Sequence, residues 1–175
     1  MPNWCEGSLK LKGDPKDILR FINEGLNVYE YDYTALHERS SNVMDKSKWM
    51  DVVEDTDSVE IYFDHDDEIY VENTQRAFIN LFYSGLAKRE LYIDKHKNPE
   101  ICVLHVSQAW SFREEDWIEI AKEYNLDIRL TGIEQGMGFM EDLIITKDGE
   151  VTDLSPSYEN YDDFEWNCPI PFLGG

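Results

Sequence analysis

The residues best suited to metal chemistry lie in one short acidic segment. Asp64-His65-Asp66-Asp67-Glu68 places four carboxylates and one imidazole within five residues, a ligand set that suits a divalent cation. The segment is not an EF-hand loop, because the glycine at the sixth position and the glutamate at the twelfth are absent. The alternative is a solvated turn rich in Asp. We predict no metal and no cofactor, and a metal-dependent enzyme at this cluster remains an alternative.

Nucleophilic catalysis has one candidate pair, Cys5 and His105. The two could form a dyad only if the first strand and the strand at 100–107 are neighbours; otherwise they are two buried side chains. Nucleophile-elbow, phosphate-loop and His-Glu-x-x-His spacings are absent. The three cysteines lie far apart without a Cys-x-x-Cys pair, which is typical of reduced thiols. We therefore predict a binding protein rather than an enzyme, with no catalytic residue.

The charge of the chain is strongly negative and arranged in blocks. The sequence has 37 acidic and 16 basic residues, a formal net charge of −21. Residues 49–75 hold ten acids and no Lys or Arg, whereas 76–97 hold five bases and two acids. Such a field repels nucleic acid and anionic membranes and attracts basic surfaces. We expect no direct nucleic-acid binding and no membrane binding, and either a basic protein partner or a role of the charge in solubility.

Two stretches could present this charge to a partner. Period-2 alternation predicts a hairpin of strands 59–63 and 69–72, whose apolar positions face the core. Same-face residues recur about every 7 Å, similar to successive phosphates of a nucleic-acid strand. The predicted partner-binding residues are those of the outer hairpin face, its turn and one helix stripe: Glu60, Tyr62, Asp64, Asp66, Asp67, Glu68, Tyr70, Glu72, Glu115, Glu119 and Glu123. The alternative for the hairpin is an ordinary acidic face that discourages edge pairing.

Periodicity and capping signals predict the elements that carry these residues. A strand at 5–12 is followed by a helix that begins at Asp14-Pro15 and ends at Gly25. Later elements are a helix from Asn73 or Thr74 to about Lys88, a strand at 100–107, a helix opened by a Ser111–Glu114 capping box and ending near Asn125, a strand at 127–133, and a hairpin of 143–146 with 150–154. This order indicates an α+β fold with a mainly antiparallel sheet and helices on one face.

The chain is expected to form one domain over 1–154, followed by an acidic aromatic tail at 155–175 without helical or strand period. Residues 26–58 are predicted to be an insertion, with a long loop at 37–58 and a short helix around Trp49. No apolar run approaches the roughly 18 residues that span a bilayer. The first residues lack the regions of a signal peptide, which predicts a cytoplasmic protein.

Three segments carry a family resemblance. They are Asn3-Trp4-Cys5 with Leu9-x-Leu11-x-Gly13, Gln108-Ala109-Trp110-Ser111 after a strand, and Glu134-Gln135-Gly136-Met137-Gly138-Phe139. A partial match surrounds Trp49, without the Asn-Trp-Gly that normally precedes it. Together they resemble the YubB-like family of phage and plasmid proteins. The resemblance implies a ferredoxin-like core and a mobile-element origin. Structural roles are expected for the matched residues Asn3, Trp4, Cys5, Trp49, Trp110, Gly136 and Phe139. The alternative is that the aromatic residues Trp4, Trp49, Trp110 and Phe139 line a ligand cleft.

Charge and resemblance together give the expected function. The protein is expected to be an acidic phage or mobile-element protein that inhibits a nucleic-acid-handling defence effector of the host, as an anti-CRISPR or anti-restriction factor does. Nucleic-acid mimicry is the suggested means, and the partner would be a basic nucleic-acid-binding protein in the host cytoplasm. The alternative is a YubB-like accessory module that binds a small molecule or another protein.

Overall fold

The computed structural model describes residues 3–31, 41–63, 69–80 and 90–174. Within these residues the chain folds into an eight-stranded sheet, a three-stranded sheet, a two-stranded sheet and three α-helices. Every strand pairing is antiparallel, which confirms an α+β fold with a mainly antiparallel sheet. Among the described residues, no helix has both the length and the apolar character needed to cross a membrane.

The main sheet consists of eight strands: β1 Trp4–Gly13, β2 Leu26–Asn27, β7 Ile69–Val71, β8 Ala77–Ile79, β10 Glu100–Ala109, β11 Asp127–Glu134, β12 Phe139–Ile145 and β13 Val151–Asp153. Their order across the sheet is β13-β12-β11-β1-β10-β8-β7-β2. The two-stranded sheet consists of β3 Tyr29–Tyr31 and β4 Ser41–Val43, and the three-stranded sheet of β5 Met50–Glu54, β6 Ser58–Phe63 and β9 Glu90–Asp94. The helices are α1 Pro15–Glu24, α2 Glu114–Tyr124 and α3 Tyr161–Asn167.

One face of the main sheet forms the hydrophobic core against α1 and α2. Leu9 and Leu11 of β1 are fully buried, and Leu104 of β10, which lies opposite Leu9, is buried on the same face. The two helices meet through Phe21 and Tyr124, whose rings make an edge contact with centroids 5.3 Å apart. The apolar residues that alternate along the strands therefore pack against the apolar stripes of the two helices, as the sequence predicts.

The ends of α1 follow the predicted capping signals. Asp14 is the N-cap and accepts a hydrogen bond from the Lys16 amide at 3.1 Å, and Pro15 occupies the first turn. Gly25 ends the helix, as predicted. The capping box predicted for α2 is wrong, because α2 begins at Glu114 after Arg113, which makes no side-chain cap bond. Ser111 thus lies too early in the chain to cap this helix.

The second face of the main sheet is partly covered by the C-terminal tail, so the prediction of helices on one face is correct for α1 and α2 and wrong for α3. Phe164 of α3 is fully buried and packs with Ile133 and Cys168 in a small separate cluster. The prediction of a tail without a helix is wrong for Tyr161–Asn167, where Asn160 caps a helix by accepting from the Asp163 amide at 3.0 Å. Seven residues are too few to show a clear helical period in sequence.

Long-range pairing overturns the predicted hairpin at 59–72. Strand β6 pairs with β5 and β9, whereas β7 pairs with β2 and β8 in the main sheet. Local alternation predicts a strand correctly but does not choose its partner, so two neighbouring strands could enter different sheets. The turn residues 64–68 lie outside the described residues.

The middle of the chain contains more strand than predicted. Residues 77–79 form β8 rather than part of a helix, and 81–88 of that predicted helix are outside the described residues. The long loop predicted at 37–58 is wrong for 41–54, which holds β4, a 3-10 helix Lys46–Lys48 just before Trp49, and β5. In contrast, the structure confirms three predicted strands and one predicted hairpin. The strands are those at 5–12, 100–107 and 127–133, and the hairpin is the one at 143–154.

Candidate partner-binding surface

The outer face of the three-stranded sheet brings carboxylates and tyrosines together. In one row across the sheet Asp51, Tyr62 and Glu90 lie directly opposite one another, and in the next row Val53, Glu60 and Tyr92 do so. We call these six residues the acidic tyrosine face. Adjacent strands are about 4.8 Å apart and same-face residues about 7 Å apart, so the six side chains form one compact patch.

The acidic tyrosine face is open to solvent. Tyr92 is 59% exposed, Val53 is 57% exposed and Tyr62 is 36% exposed. Tyrosine is enriched at protein interfaces because its ring offers contact area while its hydroxyl still forms hydrogen bonds. Lys95, a basic residue next to this sheet, is already held at the sheet end, with its Nζ 2.7 Å from Glu54 Oε1. The patch therefore combines negative charge with exposed aromatic surface.

A hydrogen bond joins two residues of this face. The Tyr62 hydroxyl donates to Glu60 Oε2 at 2.6 Å. This bond, together with the negative charges of Glu60 and nearby Glu90, raises the pKa of Tyr62 to about 12. Tyr62 is neutral at physiological pH and donates a hydrogen bond to the Glu60 carboxylate, which the bond orients on the face.

Burial of the opposite side of the same sheet fixes which residues face outward. Val59, Ile61, Phe63 and Ile93 are at most 3% exposed. Trp49, just before β5, is fully buried with its ring stacked on Phe63 at a centroid distance of 6.3 Å. Because side chains alternate along a strand, this apolar side forces the acids and tyrosines of β6 and β9 to the surface.

The structure separates some predicted partner-binding residues from this face. Tyr70 lies in the main sheet, where its ring packs edge-on against Tyr29 and Phe78 with centroid distances of 5.1 and 4.6 Å. Glu72 accepts hydrogen bonds from Asn27 Nδ2 at 2.8 Å and from the Tyr29 hydroxyl at 2.5 Å. Glu60 and Tyr62 therefore do not share one ribbon with Tyr70 and Glu72, while Asp64, Asp66, Asp67 and Glu68 lie outside the described residues.

The helix stripe Glu115, Glu119 and Glu123 is exposed on α2. Its four-residue spacing keeps the three carboxylates on one side of the helix, as predicted. Trp117, Ile120 and Ala121 are fully buried or nearly so on the other side. The stripe is a second acidic surface. It lies on α2, whereas the acidic tyrosine face lies on the three-stranded sheet.

The sequence predicts only Glu60 and Tyr62 among the six residues of the acidic tyrosine face. The other four, Asp51, Val53, Glu90 and Tyr92, lie on β5 and β9, which are not among the predicted strands. The signal for β9 is present in Glu90-Leu91-Tyr92-Ile93-Asp94, where polar and apolar residues alternate. The buried positions Leu91 and Ile93 obey that alternation.

The segments that carry the family resemblance meet at one end of the main sheet. The Trp110 amide donates to the Asn3 carbonyl oxygen at 2.8 Å, which joins the start of β1 to the end of β10. Gly136 lies so close to Asn3 that an added Cβ would be 2.5 Å from the Asn3 Nδ2. The Trp110 side chain itself is 58% exposed, and its backbone adopts a φ of 74°.

Two other matched aromatic residues make packing contacts. Trp4 makes an edge contact with Phe78 at 5.4 Å between centroids, and the Arg76 guanidinium lies 5.4 Å from the Trp4 ring centroid. Phe139 is partly buried against the main core.

The candidate pair Cys5 and His105 does not form a dyad. Strands β1 and β10 are neighbours, but Ser8 rather than Cys5 lies opposite His105, so the two side chains point to opposite faces of the sheet. Cys5 Sγ donates instead to Glu141 Oε2 at 3.5 Å, and burial beside that carboxyl raises the pKa of the Cys5 thiol far above its ordinary value. All three cysteines are free and buried, as predicted for reduced thiols.

Metal ligands do not cluster in the part of the chain that the structure describes, where no group of three or more His, Cys, Asp or Glu is arranged to hold an ion. The acidic segment 64–68 is not among those residues. Comparison of the chain with protein-family models, with curated proteins and with solved structures gave no match. The resemblance to YubB-like proteins therefore stays a prediction.

Proposed function

We propose that this protein binds a basic protein partner through the acidic tyrosine face. The observation that carries the proposal is the pairing of β5, β6 and β9, which places three carboxylates beside two exposed tyrosines. A basic groove of the partner would supply the Lys and Arg that this face lacks. The two tyrosines of the face would supply aromatic packing at the centre of the contact. The formal charge of −21 would accelerate the encounter.

The proposed partner is a nucleic-acid-handling defence effector of a bacterial host. A groove that binds phosphates is rich in Lys and Arg, so a protein surface with carboxylates at regular spacing can compete for it. In this proposal the protein comes from a phage or another mobile element, acts in the host cytoplasm as an anti-CRISPR or anti-restriction factor, and does not itself bind nucleic acid. The Glu115, Glu119 and Glu123 stripe adds to the attracting field.

The same proposal gives the protein a YubB-like, ferredoxin-like core. Four neighbouring strands of the main sheet, in the order β11-β1-β10-β8, support it, because each is antiparallel to the next. The helices α1 and α2 follow β1 and β10 in the chain, as in two successive strand–helix units. A fold of this kind does not specify a reaction, so the proposed function depends on the surface.

The test compares two triple variants with equal charge changes. Asp51→Lys/Glu60→Lys/Glu90→Lys alters the acidic tyrosine face. Glu150→Lys/Glu159→Lys/Glu165→Lys alters three exposed acids elsewhere. Each protein is added to DNA-cleavage assays of a restriction endonuclease and of an RNA-guided CRISPR nuclease, across a salt series.

We expect the wild type and the second variant to inhibit one of these nucleases. The face variant should associate at least about tenfold more slowly at low salt, with the difference shrinking as salt screens the charges. Tyr92→Ala should accelerate dissociation without changing the salt dependence. Inhibition of neither nuclease, or equal inhibition by the two triple variants, would show that the proposal is wrong.

A further inference from the structure

A cavity of about 300 Å³ lies between the second face of the main sheet and the C-terminal tail. Its floor is formed by the middle of β1, β10 and β11, including the backbone of Gly7 and Gly132. Pro169, Ile170 and Leu173 of the tail border the cavity on the other side. The tail is held close to the sheet at its end, since a Cβ added to Gly174 would lie 2.5 Å from the Trp4 carbonyl oxygen. The volume is at the lower end of the range for small-molecule sites.

Two ionisable side chains line this largely apolar cavity, whose wall also includes the hydroxyl residues Ser8 and Thr131. Glu6 is 6% exposed and His105 is 8% exposed. Glu6 lies opposite Ser107, and Ser8 lies opposite His105, so Glu6 and His105 are diagonal neighbours on the same face of β1 and β10. Diagonal neighbours across a strand pair are about 7–8 Å apart, which allows one small polar group to reach both side chains.

Neither side chain has its hydrogen bonds satisfied. Glu6 Oε2 and both ring nitrogens of His105 are buried without a hydrogen-bond partner among the residues that the structure describes. An unsatisfied buried polar group costs about 1–3 kcal/mol, so native proteins rarely retain one without a ligand, an ion or water. Burial raises the pKa of Glu6 and lowers the pKa of His105, as expected for groups without a countercharge.

The chemistry of these atoms favours a nitrogen-bearing head group. An ammonium group has several N–H donors, which suit the Glu6 carboxylate and the acceptor nitrogen of a neutral imidazole. A carboxylate head would face Glu6 and a protein of net charge −21. The hydrocarbon body would lie against apolar lining residues, among them Val103, Ile133 and Met140. A volume of about 300 Å³ corresponds to the liquid volume of about ten waters, which limits the ligand to a small molecule.

We propose that this cavity is a binding site for a small amphipathic amine, whose ammonium group contacts Glu6 and His105 and whose apolar body lies beneath the C-terminal tail. The site is separate from the acidic tyrosine face, because it lies on the main sheet and not on the three-stranded sheet. The bound ammonium group would supply hydrogen-bond partners to Glu6 and His105, whose unsatisfied polar atoms otherwise destabilise the fold.

The test uses three probes with the same eight-carbon chain and different heads: octylamine, octanol and octanoate. Binding is measured by titration calorimetry and by NMR signals of the Met140 methyl group and the His105 ring. We expect octylamine to bind at a single saturable site, shift both sets of signals and bind at least tenfold more tightly than octanol or octanoate. Unchanged signals with all three probes at millimolar concentration would show a cavity that holds water only, and would overturn the proposal.

A variant pair separates the head-group contact from the charge of the whole protein. Glu6→Gln removes the proposed ammonium partner, and Glu150→Gln removes the same charge from an exposed position outside the cavity. We expect at least a tenfold loss of octylamine affinity in Glu6→Gln, no loss in Glu150→Gln and unchanged octanol affinity in both. Equal octylamine binding by the wild type and Glu6→Gln, or octanol binding as tight as that of octylamine, would overturn the assignment of an amine.

Discussion

The Tyr62 hydroxyl donates a 2.6 Å hydrogen bond to Glu60 Oε2, on the outer face of a sheet whose inner face is buried. The two residues are separated by one residue along β6, so the strand itself sets their spacing. Because Glu60 lies between Val53 and Tyr92 in the neighbouring strands, the bond holds a carboxylate between exposed apolar and aromatic groups. A partner with a basic side chain would meet this carboxylate already oriented.

The first prediction concerns the ionisation of Tyr62. The bond to Glu60 raises the pKa of Tyr62 to about 12, and we expect Glu60→Gln to return it toward the ordinary value of 10. The measurement is a pH titration of tyrosine ring carbon signals by NMR, with Tyr62→Phe to assign the signal. Glu119→Gln, an exposed substitution on α2, is the control and should leave the titration unchanged. A Tyr62 that titrates near 10 in the wild type would contradict the hydrogen bond.

The second prediction concerns the pH dependence of stability at the ion pair of Arg129 and Asp142. Arg129 Nε and Nη2 donate to the two carboxylate oxygens at 2.8 and 2.6 Å, and these bonds lower the pKa of Asp142. A carboxyl with a lowered pKa stabilises the fold above its ordinary value of 3.8 and loses that contribution as the pH falls further. We expect Arg129→Gln to reduce the free energy of unfolding by about 1 kcal/mol at pH 7.

The difference between Arg129→Gln and the wild type should shrink as the pH falls below 3.8, in urea unfolding followed by circular dichroism. Lys12→Gln is the matched control, because Lys12 Nζ lies 3.6 Å from Asp127 in a pair that is exposed on both sides. That substitution should change the stability by much less. A difference between Arg129→Gln and the wild type that stays constant from pH 7 to pH 3 would contradict the ionic role of Asp142.

The third prediction concerns Glu6 in the absence of a ligand. Burial raises the pKa of Glu6, so the folded state holds the proton more tightly than the unfolded state does. Stability is therefore lost as the pH rises above the ordinary value of 4.5. We expect Glu6→Gln to raise the free energy of unfolding at pH 7.5 by on the order of 1 kcal/mol, with a smaller gain at pH 4. Thermal unfolding at the two pH values measures this gain in stability. An equal gain in the control variant Glu150→Gln would show that the loss of a negative charge, and not the burial of Glu6, is the cause.

The fourth prediction concerns the attachment of the C-terminal tail. Phe164 is fully buried against Ile133, and the Cys168 amide donates to its carbonyl oxygen at 2.8 Å. Replacing a buried Phe by Ala removes apolar contact worth about 3–5 kcal/mol, which should release the tail before the main core unfolds. Hydrogen exchange of residues 161–168 should accelerate in Phe164→Ala while exchange of β10 stays slow. Trp166→Ala is the control, because Trp166 is 87% exposed in the same helix. Unchanged exchange in Phe164→Ala would show that other contacts hold the tail.

The sequence by itself determined those features that depend on neighbouring residues. Alternation identifies β1 and a continuous apolar run identifies β10, while Asp14-Pro15 and Gly25 mark the ends of α1. These signals are readable because strand faces and helix caps arise from local geometry. The short turn Lys147-Asp148-Gly149 likewise joins β12 to β13 as predicted, with Gly149 at a φ of 87°. Composition also determined the negative field around the protein.

Only the tertiary structure decided which strands pair and which side chains meet. Strand β6 has β5 and β9 as partners rather than β7, and this pairing brings Tyr92 beside Glu60. The register of β1 on β10 places Glu6 and His105 on one face, with Cys5 on the other. Strand partners are chosen by long-range burial of apolar faces, and a shift of one residue would reverse every side chain. For this reason both the acidic tyrosine face and the cavity beneath the tail were visible only in the folded chain.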